Sequence, residues 1–139
     1  MTDVLTPEQR KRKMASIRGR DPRPEKSVRS MLHRIGYRYR LHLADLPGKP
    51  DLVFPKLRKI IFVHGCFWHM HGCKYGKVAP ATNKAFWRAK RLSNVRRDKK
   101  NLAALRRANW QVSVVWECSI KKRDQDALRD RLVRFLGDH

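Results

Sequence analysis

DLVFPKLRKIIFVHG, residues 51–65, holds two short apolar runs on either side of a basic link. Leu52-Val53-Phe54 and Ile60-Ile61-Phe62-Val63 have the β-branched and aromatic bias of paired strands, and Pro55 with the link Lys56–Lys59 suits a hairpin. Upstream, DPRPEKSVRSMLHRIG (21–36) reads as a helix, with Val28, Met31, Leu32 and Ile35 at helical spacing and Gly36 at its end. YRYRLH (37–42) reads as a short strand ahead of the turn residues DLPGKP. Downstream, a long helix is expected from Thr82 through NKAFWRAKRLSNVRRDKKNLAALRRAN, with Phe86, Val95, Leu102 and Leu105 close to one apolar stripe. WQVSVVWEC (110–118) is a further core strand. DQDALRDRLVRFLG (124–137) is a closing helix with Leu128, Leu132 and Leu136 on one face. The expected fold class is therefore α/β, a mixed β-sheet flanked by helices on both sides.

At 139 residues the chain is sized for a single domain, read here as residues 21–139. Residues 1–20 read as a basic arm with a short helix, since TPEQRKRKMASIRGR offers Thr6 as a cap and Pro7 at the first helical position. Lys and Arg number 34 against 12 Asp and Glu, a formal net charge of +22. Such a surface gathers polyanions, and nucleic acid is the leading partner because each neutralised phosphate releases counterions. No apolar run suits a membrane span and the opening residues lack the pattern of a secretory signal, so no membrane partner and a cytoplasmic setting are expected. Three cysteines, Cys66, Cys73 and Cys118, argue against a fully paired disulfide framework and favour metal ligation in a reducing compartment.

HGCFWHMHGC (64–73) concentrates the candidate chemistry. A thiolate and an imidazole a few residues apart can wrap a tetrahedral Zn2+ in a short loop, and Cys118, at the end of a predicted strand, would staple that loop to the sheet. The ligand set is taken as Cys66, His71, Cys73 and Cys118, a closed and therefore structural site; spacing alone does not decide between His69 and His71. Asp51 opens the first hairpin strand and His64 closes the second. In restriction-like nucleases a proline-aspartate pair and an acid-x-lysine triplet on the next strand hold Mg2+ against a phosphate; here Phe62 and His64 occupy the triplet's places. Asp51 is one of few acids in a basic chain, and with His64 and His69 it offers the parts of metal-assisted phosphodiester hydrolysis. Glu25 and Asp98 are further candidates; a helix-dipole partner and a surface ion pair account for them equally well. Phe67 and Trp68, with Trp87 nearby, could stack on or wedge between bases, or simply pack around the metal.

These features run in order through KRKMASIRGRDPRPEKSVRSMLHRIG, LPGKPDLVF, IFVHGCFWHMHGC, KVAPATNKAFWRAK, NVRRDKKNLAALRRANW and VVWEC, and together they resemble the very-short-patch repair (Vsr) DNA mismatch endonuclease family. The resemblance covers roughly residues 8–118. It implies a restriction-endonuclease-like core with a structural zinc added. It also implies Mg2+-dependent nicking of double-stranded DNA 5′ to the thymine of a T:G mismatch left by deamination of 5-methylcytosine. By that resemblance the protein acts as a monomer on DNA in a bacterial cytoplasm, associated with the nucleoid. It would be linked to mismatch-repair proteins and to a repair polymerase. Carried over by position, Asp51 resembles the metal-binding aspartate and the Val63 carbonyl the second protein oxygen, although a threonine is familiar at that place. His69 resembles the essential histidine, oriented by Asp98 and supported by His64 and Glu25. Phe67, Trp68 and Trp87 resemble the rings inserted beside the mismatch, and Met14 the wedge from the opposite groove. A noncatalytic zinc protein on DNA or RNA would explain the charge and the cysteines but give Asp51, His69 and Asp98 no shared purpose. A ribosome-associated basic protein and a nuclease cutting both strands of an undamaged site are the other rivals.

Overall fold

The computed structural model describes residues 22–73, 76–77, 82–122 and 125–137. The basic arm and Met14 lie outside the described residues. The elements run α1 (Pro22–Ile35), β1 (Arg40–Leu41), β2 (Leu52–Phe54), β3 (Lys59–His64), α2 (Lys84–Arg107), β4 (Gln111–Trp116), α3 (Glu117–Ile120) and α4 (Asp126–Leu136). The strands form one mixed sheet in the order β1-β2-β3-β4, antiparallel up to β3 and parallel between β3 and β4. A single 3-10 turn at Pro55–Leu57 and left-handed Arg58 make the hairpin between β2 and β3. The expected strand over 37–42 shrinks to the two residues of β1.

Alternation along the strands divides the core between the two faces of the sheet. Leu52, Phe54, Ile61 and Val115 point to one face, where Val28 and Leu32 of α1 and Leu128, Leu132 and Leu136 of α4 close over them. Val53, Ile60 and Phe62 point to the other, against Leu105 and the half-buried Leu102 of α2. Helices on both faces are what the sequence led one to expect. Gly36 ends α1 with φ of 116°, a left-handed setting that lets its N–H and that of Tyr37 reach the Leu32 carbonyl at 3.2 and 3.0 Å. Lys59 on β3 caps the far end of α4, donating to the carbonyls of Phe135 at 2.6 Å and Leu136 at 3.2 Å.

The stripe expected on α2 needs correction. Phe86 is 48% exposed, whereas its neighbour Trp87 is only 7% exposed. Adjacent helical positions lie about 100° apart, so both rings cannot face inward. The inward place goes to the indole, which meets Phe67 and Trp68 of the loop after β3. Truncation should expose the difference: Leu132→Ala, at a site with no exposure, should cost about 2–5 kcal/mol in urea unfolding. Phe86→Ala should cost less than about 1 kcal/mol.

Candidate active site and metal centre

The functional groups gather where β3 and β4 leave the sheet. Asp51, just before β2, is 1% exposed. Its Oδ2 accepts the Val63 N–H at 2.7 Å, which ties the carboxylate to β3. Its Oδ1 lies 3.9 Å from His42 Nε2, and that nitrogen lies 2.6 Å from Glu25 Oε1. Glu25 does stand in the first turn of α1, but it is 4% exposed and turned inward, so the helix dipole alone does not account for it. Two buried carboxylates side by side repel each other and lose solvation, and positive charge between them relieves both costs. The His42 ring stands between the two carboxylates, and Arg29 lies 3.5 Å from Glu25 Oε2.

His42 carries no functional signal in the sequence, where it only ends the expected strand YRYRLH. It stands one step beyond the Leu41–Leu52 pair, so the antiparallel register itself sets it beside Asp51. Its φ of 50° is left-handed and its N–H donates to the Asp51 carbonyl at 3.3 Å. Register would have found it, had a two-residue strand been legible. Donor atoms of Glu25, His42 and Asp51 lie within 4.8 Å of one another and could hold a cation.

Beside this group stands a second. His69 Nδ1 hydrogen-bonds Asp98 Oδ2, so Asp98 faces an imidazole and not the arginines and lysines around it in sequence. His64 stacks on His69, ring centroids 3.9 Å apart and planes 4° from parallel, with Trp116 edge-on to His64 at 5.3 Å. With the carboxylate as acceptor, Nδ1 carries the ring proton and Nε2 keeps its lone pair. In that arrangement the imidazole can accept a proton at Nε2.

The third group joins Cys66, His71, Cys73 and Cys118, whose donor atoms also lie within 4.8 Å of one another. Cys118 N–H donates to Cys66 Sγ at 3.4 Å, and Cys118 Sγ lies 3.5 Å from His71 Nδ1. Cys118 sits in the first turn of α3 and not at a strand end, because β4 passes into that helix without a loop. The His71 ring stacks on Trp116 at 4.2 Å. Burial, foremost, pushes the Cys66 thiol up to about 12, and the neighbouring Cys73 and Cys118 thiols add to the shift. Three sulfurs and an imidazole converging at this spacing suit a tetrahedral, thiophilic ion. Gly76 closes the loop against the His71 peptide, where a Cβ would fall 1.8 Å from the His71 carbonyl oxygen.

Phe67 and Trp68 lie half-buried over Trp87, with centroids 6.2 and 5.7 Å from it. Trp87, expected as a third inserted ring, is buried beneath the other two and supports them in this arrangement. Trp116 ends the core strand β4, as its sequence suggests, and its ring there is also the aromatic floor shared by His64, His69 and His71.

The chain is similar in sequence to known DNA endonucleases. A family model described as DNA mismatch endonuclease Vsr matches residues 2–75. The Type II nicking enzyme V.XorIIP of Xanthomonas oryzae pv. oryzae is 50% identical, over 98% of both chains. The DNA mismatch endonuclease Vsr of Escherichia coli K12 is 40% identical over 98% of this chain and 88% of its own. The Type II nicking enzyme V.NmeAIP of Neisseria meningitidis is 40% identical over 99% of this chain and 96% of its own.

The four-donor group has a direct spectroscopic test. Cobalt(II) added to metal-free protein should develop the absorption of a tetrahedral thiolate complex, with release of thiol protons and tighter uptake as pH rises. Cys118→Ala should abolish that spectrum and weaken cooperative folding, whereas His69→Ala should leave it intact. Wild-type absorption in Cys118→Ala would show that the thiolates do not act together.

Proposed function

The chain belongs to the Vsr family of DNA mismatch endonucleases, and from that premise we propose that it nicks one strand of duplex DNA 5′ to the thymine of a T:G mismatch left by deamination of 5-methylcytosine, by Mg2+-dependent hydrolysis. Family membership makes it a DNA endonuclease, a hydrolase of phosphodiester bonds. Cutting of a single strand is supported by relatives named as nicking enzymes. The observation that carries the reaction is the His69–Asp98 pair stacked on His64, one residue beyond the Val63 N–H that holds Asp51.

Asp51 and the Val63 carbonyl would hold the Mg2+, which when bound supplies charge neutralisation at the scissile phosphate and a more acidic water. Asp98 keeps the His69 ring in one tautomer, and His69 Nε2 takes the proton of the attacking water. His64, stacked flat on His69, fixes the plane in which that proton moves. Glu25 anchors His42 beside Asp51 and keeps the carboxylate oriented. Cys66, His71, Cys73 and Cys118 would hold a structural Zn2+ that stiffens the loop carrying His69, Phe67 and Trp68. A T:G wobble stacks less well than a Watson–Crick pair, so rings on a stiff loop enter that step at less cost. Phe67 and Trp68 fill this role over Trp87, with Met14 on the 1–20 arm approaching from the opposite groove. The basic surface contributes contacts nearly blind to sequence. We place the enzyme as a monomer on DNA in the bacterial cytoplasm, upstream of a repair polymerase.

Gel assays on matched, T:G and prenicked duplexes in Mg2+ separate this activity from a nuclease cutting both strands of an undamaged site. Asp51→Ala and His69→Ala should fold and bind T:G duplex within a few fold of wild type, yet cut at least about a hundred-fold more slowly. Wild-type rates in Asp51→Ala would sink the mechanism. Equal cutting of matched duplex would sink the specificity.

A further inference from the structure

Among the described residues, Arg91 is the only buried Lys or Arg, at 5% exposure. A guanidinium withdrawn from water needs compensating partners, and those of Arg91 include two carbonyls of the loop after β3. Its Nε donates to the Phe67 carbonyl at 2.6 Å, a terminal nitrogen donates to the Gly76 carbonyl, and its central carbon lies 4.3 Å from the Phe67 ring centroid. One side chain thus grips two distant points of the loop and the face of its half-buried Phe67 ring.

Arg91 also belongs to a series. Trp87, Arg91, Asn94 and Asp98 follow one another on α2 at separations of four, three and four residues, which places them on a single helical face. Trp87 lies under Phe67 and Trp68, Arg91 holds the Phe67 carbonyl, Asn94 donates to the Trp68 carbonyl at 3.2 Å, and Asp98 holds the His69 ring. Three consecutive loop residues are therefore gripped by three successive positions of one rigid helix. The first two carry the rings assigned to the mismatch and the third the imidazole assigned to the proton.

We propose that Arg91 is a positioning residue that couples mismatch recognition to strand cleavage. By clamping the carbonyls of Phe67 and Gly76 it presets the loop, so that entry of the rings into a deformable base step and arrival of His69 at the phosphate are one movement. This rests on the function proposed above and adds to it a residue that touches neither DNA nor metal. A lysine at the same place keeps the positive charge but cannot donate in a planar fork to two carbonyls, which separates clamping from charge.

The test compares wild type with Arg91→Lys and Arg91→Met, each at equal folded concentration and equal zinc content. Both variants should lose about ten-fold or more in the ratio of T:G to matched-duplex binding, because the loop must be ordered at the moment of binding. Their kcat on T:G duplex should fall by about ten- to a hundred-fold, the cost of a misplaced imidazole. Matched-duplex affinity and its salt slope should change by less than about two-fold, since phosphate contacts are untouched. Hydrogen exchange gives a readout free of activity: the amides of His69 and His71, bonded to the Gly65 and Cys66 carbonyls at 3.2 and 3.0 Å, should exchange faster while those of β3 and β4 do not. Arg91→Lys with wild-type ratio, kcat and loop protection would overturn the inference, leaving Arg91 as charge and packing alone. If wild-type protein shows no preference for T:G, the proposed function is at fault. In that case the exchange comparison decides by itself whether Arg91 sets the loop.

Discussion

Strands β3 and β4 pair in parallel at a constant offset, Lys59 opposite Gln111 through His64 opposite Trp116, and the chain beyond both strands inherits that offset. Two residues on, it sets Cys66 against Cys118, close enough for the Cys118 N–H to reach the sulfur. The same pairing places the Trp116 ring against His64 and His71. Parallel strands need a long crossover, and here α2 provides it. The element that satisfies the sheet's topology is therefore also the one that delivers Asp98, Asn94 and Arg91 to the loop.

Charge is sorted with equal economy. A chain of net charge +22 keeps its buried ionic groups to a few: Glu25, Asp51, His64 and Arg91 among the described residues. The carboxylates share their site with imidazole and backbone N–H, and the guanidinium shares its own with carbonyl oxygens and a ring face. Buried polar groups without partners are costly, and each of these has its partners. Among the described residues the other lysines and arginines are exposed or partly exposed, a distribution that favours polyanions outside without disturbing the interior.

Much of this was legible in the residues. The hairpin, the closing helix and the cysteine-histidine cluster announce themselves through β-branched runs, a leucine face and the HGCFWHMHGC loop, signals that depend on near neighbours. What escaped depends on distant ones. His42 acquires its place only through register with Asp51, and a two-residue strand leaves too short a pattern to read. Glu25 and Asp98 were marked as candidates, but their near neighbours offered an ordinary explanation for each, and only the family resemblance paired Asp98 with His69; it is the packing of α1 and α2 that turns both carboxylates toward imidazoles. Arg91 was one arginine among many, with nothing in its vicinity to mark it as buried. Phe86 and Trp87 are adjacent and comparably apolar, so the choice of which faces inward was made by Phe67 and Trp68 on another segment.

The passage of β4 into α3 without a loop has a consequence for how such a protein can diverge. A strand that becomes a helix at the next residue has no slack, and its partner β3 enters the cysteine-histidine loop after only Gly65. One residue inserted in either strand would turn the following side chains to the opposite face of the sheet. Trp116 would part from the histidines and Cys118 from Cys66 in the same event. A change in chain length would disturb the site less in a turn such as 43–49, on which neither strand's offset depends. Between Lys59 and Cys66, and again between Gln111 and Cys118, the molecule can vary its letters but not its count.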